Sequence, residues 1–238
     1  MSNLGTLYLI PCPISDETTP WEVLPEGNRA VMNGLDYFIV ENLRSARRFL
    51  SKAGVERRIE ELEFRELNEH TVAGAAVEAL IAPLMEGRSA GVISEAGVPG
   101  VADPGALVVE AAHRRGIRVV PLVGPSSIIL AVMASGLNGQ SFAFNGYLPV
   151  KPAERQRAIR FYERRAAQER QLQLFIEAPY RNAKLMAELL QTLQPETRLL
   201  VAMDLTAPTE WIATRRVADW RKTTLPDLQR RPAIFGIG

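Results

Sequence analysis

Short apolar runs alternate with amphipathic stretches along most of this chain. In the first half, "GTLYLIP" (residues 5–11) and "DYFIVE" (36–41) read as buried strands. "LRSARRFLSKAG" (43–54) reads as a helix closed by Gly54, and "IEELEFREL" (59–67) as a strand of imperfect alternation. "VAGAAVEALIAPLMEG" (72–87) predicts a helix capped by Thr71, stopped by Gly87 and kinked at Pro83. "AGVIS" (90–94) is the next strand. The helix "ALVVEAAHRRG" (106–116) is the best punctuated, with Asp103 as N-cap, Pro104 at the first helical position and Gly116 just past the end. "IRVVPLV" (117–123) is a further strand, and "GPSSIILAVMASG" (124–136) a short apolar helix starting near Ser126. Strands alternating with helices predict a mostly parallel sheet with helices on its faces.

The second half has longer strands and fewer helices. "SFAFNGYLP" (141–149), "LQLFIEAP" (172–179), "RLLVAMDLT" (198–206) and "PAIFGIG" (232–238) read as strands, with "EWIATRR" (210–216) as a hairpin partner. Residues 153–170 and "YRNAKLMAELLQTL" (180–193) read as helices. The expected fold class is therefore α/β, as two α/β domains. Residues 1–121 carry a mostly parallel sheet and residues 122–238 a mixed one, with the boundary near Leu122.

Composition adds constraints rather than chemistry. The chain has 238 residues, 47% hydrophobic and 23% charged, with a formal net charge of +1. That balance gives no global attraction to nucleic acid, so any such binding needs a local patch. Cys12 is the single cysteine, which excludes an internal disulfide and fits a reducing, cytoplasmic compartment. One Cys with two distant His, His70 and His113, gives no zinc pattern, and no metal is expected. "MSNLGTLYLIP" has no basic leader, and no apolar run nears the roughly eighteen residues that span a bilayer, so no membrane association is expected.

Four stretches could carry chemistry. "VISEAGVPGVADPG" (92–105) follows a strand with three glycines and two prolines, then opens a helix. In parallel α/β sheets ligands sit beyond the carboxyl ends of strands, and Gly97 and Gly100 permit close backbone approach or positive φ. It lacks GxxxxGK[ST] and GxGxxG, so it is not a phosphate loop. "VGPSS" (123–127) is a second strand-to-helix turn, where Ser126 and Ser127 either cap the helix or meet a ligand. "PCPIS" (11–15) is equally a rigid strand exit or a ligand wall, with Cys12 a buried filler. Around residues 151–170, seven Lys/Arg (Lys151, Arg155, Arg157, Arg160, Arg164, Arg165, Arg170) face three Glu, which reads as a solvated face or a phosphate-contacting patch. "ENLR" (41–44) and "NEH" (68–70) place polar groups at strand ends, with capping and solvation slightly favoured over function.

Taken in order, these segments resemble the tetrapyrrole methylase superfamily, and within it the family that methylates a ribose 2′-hydroxyl of small-subunit ribosomal RNA. That family reads PTPIGN, EDTR, HNE, SDAGTPLISDPG, GPSA, GFLPRK and FYESPHR. This chain reads "PCPISD" (11–16), "ENLR" (41–44), "LNE" (67–69), "SEAGVPGVADPG" (94–105), "GPSS" (124–127), "GYLPVK" (146–151) and "FIEAPYR" (175–181). It departs at Ser15, at Asn42 and Leu43, and at Glu95, and it stops at "AIFGIG" where the family continues into a small helical region. The GxGPGD opening of corrin and siroheme methylases is not among its motifs.

The resemblance implies two α/β domains with S-adenosylmethionine in the cleft between them, no metal, and a homodimer. It implies donor contacts at Ile14, Ser94, Glu95, Ala96, Gly97, Pro99, Ser126, Ser127, Ile176 and Glu177. Methyl transfer from a sulfonium needs chiefly alignment, while a ribose hydroxyl, a poor acid, profits from a base. Glu41, Glu69 and Glu95 are the candidates for that base, and Arg44, Asn68, Arg160 and Arg164 for RNA contacts. Other readings stay open: a relative that binds the donor or RNA without turnover, as a sensor or assembly factor; a methyltransferase with a small-molecule acceptor; or a protein binding another adenine nucleotide.

Overall fold

Each predicted strand of the first half is laid down beside another by a helical crossover. In the computed structural model, residues 4–67 and 74–238 are described, and the chain divides into units Met1–Ser126 and Ser127–Gly238. The first unit contains β1 (Thr6–Leu9), α1 (Pro20–Val23), α2 (Gly27–Asn33), β2 (Tyr37–Val40), α3 (Leu43–Ala53), β3 (Glu63–Glu66), α4 (Ala75–Met85), β4 (Ala90–Ile93), α5 (Gly105–Arg114) and β5 (Arg118–Pro121). Its five strands run in the order β3-β2-β4-β1-β5, and every neighbouring pair is parallel.

The strands are apolar on both sides because both sides are covered. α4 and α5 pack Leu80, Ile81, Leu84, Val108 and Ala111 against Leu7, Ile39 and Val92 on one face. α2 and α3 pack Met32, Phe49 and Leu50 against Ile10, Phe38 and Ile93 on the other. β1 thus leaves toward one face and β4 toward the opposite one, as right-handed crossovers require when the strand order reverses. The reversal falls between β1 and β4.

Several expectations shift in detail. The stretch at 59–67 opens with a 3-10 turn at Ile59–Glu61, and only Glu63–Glu66 pairs as strand. Pro83 sits in the last turn of α4, where its carbonyl accepts from the Glu86 and Arg88 amides, so it shapes the exit rather than the middle. The expected Thr71 cap lies outside the described residues. The division comes after Ser126 rather than at Leu122, because the Leu122 amide still donates to Leu9 (2.9 Å) and ties that segment to β1.

The second unit contains α6 (Ser127–Ala134), β6 (Phe142–Tyr147), α7 (Pro152–Glu169), β7 (Leu172–Ile176), α8 (Asn182–Thr192), β8 (Arg198–Met203), β9 (Trp211–Arg216), α9 (Val217–Trp220) and β10 (Ala233–Ile237). The sheet order is β6-β7-β10-β8-β9, parallel only between β6 and β7, so it is the expected mixed sheet. Alternation along β8 sends Leu199, Val201 and Met203 to the α7–α8 side and Leu200 and Ala202 to the α6 side.

Candidate functional site

The carboxyl ends of β1, β4 and β5 bring three of the sequence-derived loops together within the first unit. The Cys12 amide donates to the Gly97 carbonyl at 2.9 Å, an isolated antiparallel bridge between the β1 and β4 exits. Gly97 has φ +71°, and a β-carbon there would lie 3.2 Å from the Pro125 carbonyl oxygen and 3.8 Å from Ile14. Gly124 sits so close to the Pro11 ring that a β-carbon would fall 2.3 Å from it. The loops meet through backbone because side chains are absent at these two points. The Asn28 amide group adds a strut from α2, donating to the Val123 carbonyl at 2.9 Å.

The β4 loop is held from three further sides. Glu41, at the end of β2, accepts the Glu95 amide on Oε2 at 3.0 Å. The Ser94 hydroxyl, buried, donates to the Ala96 carbonyl. Asp103 Oδ1 accepts the amides of Gly100 (2.8 Å) and Gly105 (2.7 Å) and so holds the first amide of α5, but the helix starts at Gly105 with Pro104 as its N-cap, one residue later than the sequence predicts. Burial pushes the Asp103 carboxyl up against these two lowering bonds, and its Oδ2 has no hydrogen-bond partner among the described residues. Burial likewise pushes the Cys12 thiol up to about 12, so Cys12 is a buried thiol and not a nucleophile.

Ile14, Ser94, Glu95, Ala96, Gly97, Pro99 and Ser126 are thus brought to one rim, with Glu95 and Ala96 exposed on it. Ser127 begins α6 of the second unit, and Ile176 and Glu177 end β7 there. Glu177 is buried, with one carboxylate oxygen hydrogen-bonded to protein and the other, Oε2, accepting no hydrogen bond among the described residues. Oε1 accepts from the Ala178 amide (2.7 Å) and from Arg181 Nε (2.9 Å) and Nη2 (2.6 Å). Oε2 lies 3.5 Å from Arg155 Nη2.

The basic helix needs a correction. Arg155 is not part of a surface patch: its side chain is 2% exposed. It donates to the Pro149 carbonyl (2.8 Å), the Val150 carbonyl (3.1 Å) and Glu188 (3.1 Å). Arg155 lies in phase with buried Ile159 and Ala166 on the inward stripe of α7, and its charge is matched there by Glu177 and Glu188. Lys151 pairs with Glu154 and Arg165 with Glu169, while Arg160 and Arg164 stay exposed one turn apart.

Among the other candidates, Asn42 caps α3 by accepting the Ser45 amide, and Arg44 is exposed on that helix's first turn. Asn68 and Glu69 lie outside the described residues. Sequence reasoning passed over Arg48 and Lys52, which continue the Arg44 face of α3 at four-residue spacing, and Asp16, which binds both.

The parallel sheet is doubly wound and its glycine-bearing loops converge at the switch point, the place where open α/β sheets receive their ligands. The profile of the tetrapyrrole (corrin/porphyrin) methylases matches residues 29–219. The ribosomal RNA small subunit methyltransferase I of Xylella fastidiosa (strain Temecula1) is 32% identical over 237 residues, covering 100% of this chain and 82% of that protein. The like-named protein of Escherichia coli O157:H7 is 30% identical over 230 residues, covering 97% and 76%. Two solved structures share the fold: the methyltransferase CobJ (TM-score 0.63, 17% identity, 98% and 94% covered) and uroporphyrin-III-C-methyltransferase from Thermus thermophilus (0.56, 22%, 98% and 94%).

The chain belongs to the tetrapyrrole methylase family. It is an S-adenosylmethionine-dependent methyltransferase.

Proposed function

We propose that this methyltransferase acts on RNA and transfers its methyl group to a ribose 2′-hydroxyl. The observation that carries the reading is full-length similarity to proteins named for ribosomal RNA methylation, at 32% identity over 237 residues. In the first unit Ile14, Ser94, Glu95, Ala96, Gly97, Pro99 and Ser126 would hold the donor. The fit rests on the convergence of their loops, with Gly97 and Gly124 at the points of closest approach. In the second unit the residues that the family resemblance adds are Ser127, Ile176 and Glu177, the last with its Oε1 already bound to Arg181 and the Ala178 amide.

The donor supplies an activated methyl on a sulfonium sulfur. The chain's task is to align the acceptor oxygen and receive the hydroxyl proton. Glu95 suits the second role: its side chain is exposed on the rim, whereas Glu41 holds the Glu95 amide. Arg160, Arg164 and Arg44 are exposed and available to phosphates. A homodimer fits α6, an almost wholly apolar helix that leaves Met133 74% exposed.

The test is calorimetric titration with S-adenosylmethionine and S-adenosylhomocysteine, followed by tritiated methyl transfer to RNA from cells lacking the protein. Donor binding with label on a ribose oxygen of small-subunit ribosomal RNA is expected. No transfer to any RNA would refute the reading. Glu95→Gln should lower the transfer rate by roughly 10²–10⁴ with unchanged donor affinity.

A further inference from the structure

Beside the loop rim, the first unit has a recess lined by residues of the β1 exit (Cys12, Pro13, Ser15, Asp16, Thr18), of α3 (Ser45, Arg48, Phe49, Lys52) and of the β4 exit (Ser94, Glu95). Its volume is about 40 Å³, room for about three ordered waters at roughly 10–15 Å³ each. The recess is open to solvent and admits a small polar group.

The electrostatics of α3 ask for an anion at this place. The helix holds Arg44, Arg47, Arg48 and Lys52 and no acidic residue. Arg44, Arg48 and Lys52 stand at successive four-residue steps, so like charges adjoin along one face, an arrangement that opposes the helix unless something negative answers it. In this structure Asp16 answers it. Arg48 Nη2 donates to both Asp16 carboxylate oxygens, at 2.8 and 3.0 Å, and Lys52 Nζ donates to the Asp16 carbonyl at 2.9 Å. Half of the Arg48 side chain and 74% of the Asp16 side chain are exposed, so this ion pair is one that an incoming anion exchanges for itself at little cost.

We propose that this recess is the phosphate subsite of the acceptor. Arg48 and Lys52 bind a backbone phosphate of the RNA chain, displacing the Asp16 carboxylate, which acts until then as a resident stand-in anion. The assignment rests on the RNA reading above. It gives that reading a geometry, because Glu95 lines the same recess. A phosphate on Arg48 and Lys52 therefore anchors an adjoining ribose beside the one exposed carboxylate of the β4 loop. A guanidinium fork presented by a helix suits phosphate in particular.

Full-length protein is assayed for tritiated methyl transfer to small-subunit ribosomal RNA from cells lacking the protein, over a range of KCl concentrations. Arg48→Gln and Lys52→Gln should each raise KM for the RNA by about ten-fold or more, since each removes a charged hydrogen bond. Donor affinity measured by calorimetry should not move. Each should also flatten the dependence of log(kcat/KM) on log[KCl] by about 0.7, the value for one phosphate contact on a single strand. Asp16→Asn should act in the opposite direction and lower KM, because it removes the competing anion. Thermal melting guards against a folding effect, which the exposure of these side chains makes small. An unchanged salt slope in both cation variants, or an Asp16→Asn protein whose KM rises, overturns the subsite while leaving the RNA activity standing. If the unsubstituted protein methylates no RNA, the RNA reading fails and the subsite with it.

Discussion

Arg155 separates a surface patch from a buried pillar, and one substitution distinguishes them. Arg155→Ala would remove a guanidinium whose side chain is 2% exposed, together with bonds to the Pro149 and Val150 carbonyls and to Glu188. Glu177, 1% exposed, would lose the charge 3.5 Å from its Oε2 and keep only Arg181 and an amide. Glu188, at 18%, recovers some hydration. Removing one member of such a pair leaves an uncompensated buried charge and costs about 3–5 kcal/mol. With a urea slope of roughly 2 kcal/mol per molar, the unfolding midpoint of the second unit should fall by about 1.5–2.5 M. Tryptophan fluorescence in a Trp21→Phe background reports that unit, because Trp211 and Trp220 both belong to it. Arg157→Ala, at an exposed site on the same helix, should cost under about 0.5 kcal/mol. If the two variants unfold at the same midpoint, and Arg155→Ala instead weakens RNA retention, Arg155 is a surface phosphate contact and the buried network is wrong.

Three further outcomes follow from the first unit. Cys12, raised to about 12 from an ordinary 9.0, stays protonated in the folded chain after it ionises in the unfolded one. Stability contributed by the thiol is therefore lost as pH rises above 9, by about 1.4 kcal/mol at pH 10, and Cys12→Ala should flatten this alkaline limb in denaturant titrations. Asp103→Ala should cost about 1–2 kcal/mol by the same titrations, because two amides lose their cap. Asp103→Asn keeps the accepting oxygen and should be near neutral. Because burial raises the carboxyl, ionising it costs stability as pH climbs past its unfolded value of 3.8, and the Asn variant escapes that cost. Gly97→Ala puts a β-carbon 3.2 Å from the Pro125 oxygen at positive φ, whereas Gly100→Ala meets open space at φ +82°. Both incur backbone strain of about 1 kcal/mol, and calorimetry should find donor affinity reduced by Gly97→Ala far more than by Gly100→Ala.

Local pattern carries most of the secondary structure and little of the site. The Gly54 stop of α3 and the Asp103–Gly116 punctuation of α5 are visible because capping is decided within a few residues. α1 and α2 leave no periodic signal, being 4 and 7 residues long with Pro20 at the start of the first. The contacts that build the rim join residues far apart in the chain: Glu41 with Glu95, Asp16 with Arg48, Cys12 with Gly97. No window of sequence displays them. Arg155 was legible in principle. It falls in step with Ile159 and Ala166 on the apolar stripe, and a cation in that phase is a buried one with partners supplied by other elements.

The departures from the family motifs bear on whether this chain is a working enzyme or a silent binder. Asn42 stands where the motif has Asp, and it caps α3 by accepting the Ser45 amide at 3.1 Å. Asn and Asp are equivalent at that position. The exchange keeps the helix start and removes a negative charge at the head of the Arg44–Arg48–Lys52 face, which favours rather than opposes an anionic acceptor. Ser15, in place of Gly, accepts the Glu17 amide on its hydroxyl and sits on the wall of the recess. Glu95, one methylene longer than Asp, is exposed, so its extra length meets no packing. Its amide is fixed by Glu41 whatever its side chain. Ser15, Asn42 and Glu95 are thus absorbed without disturbing the loop contacts at Gly97 and Gly124, while Asp16, where the motif has Asn, adds a carboxylate to the recess and pairs with Arg48. A binder that had lost turnover would be free to lose that machinery. What these departures leave unchanged is the set of loop contacts at Gly97 and Gly124, and what they alter is the charge around Arg48 and Lys52.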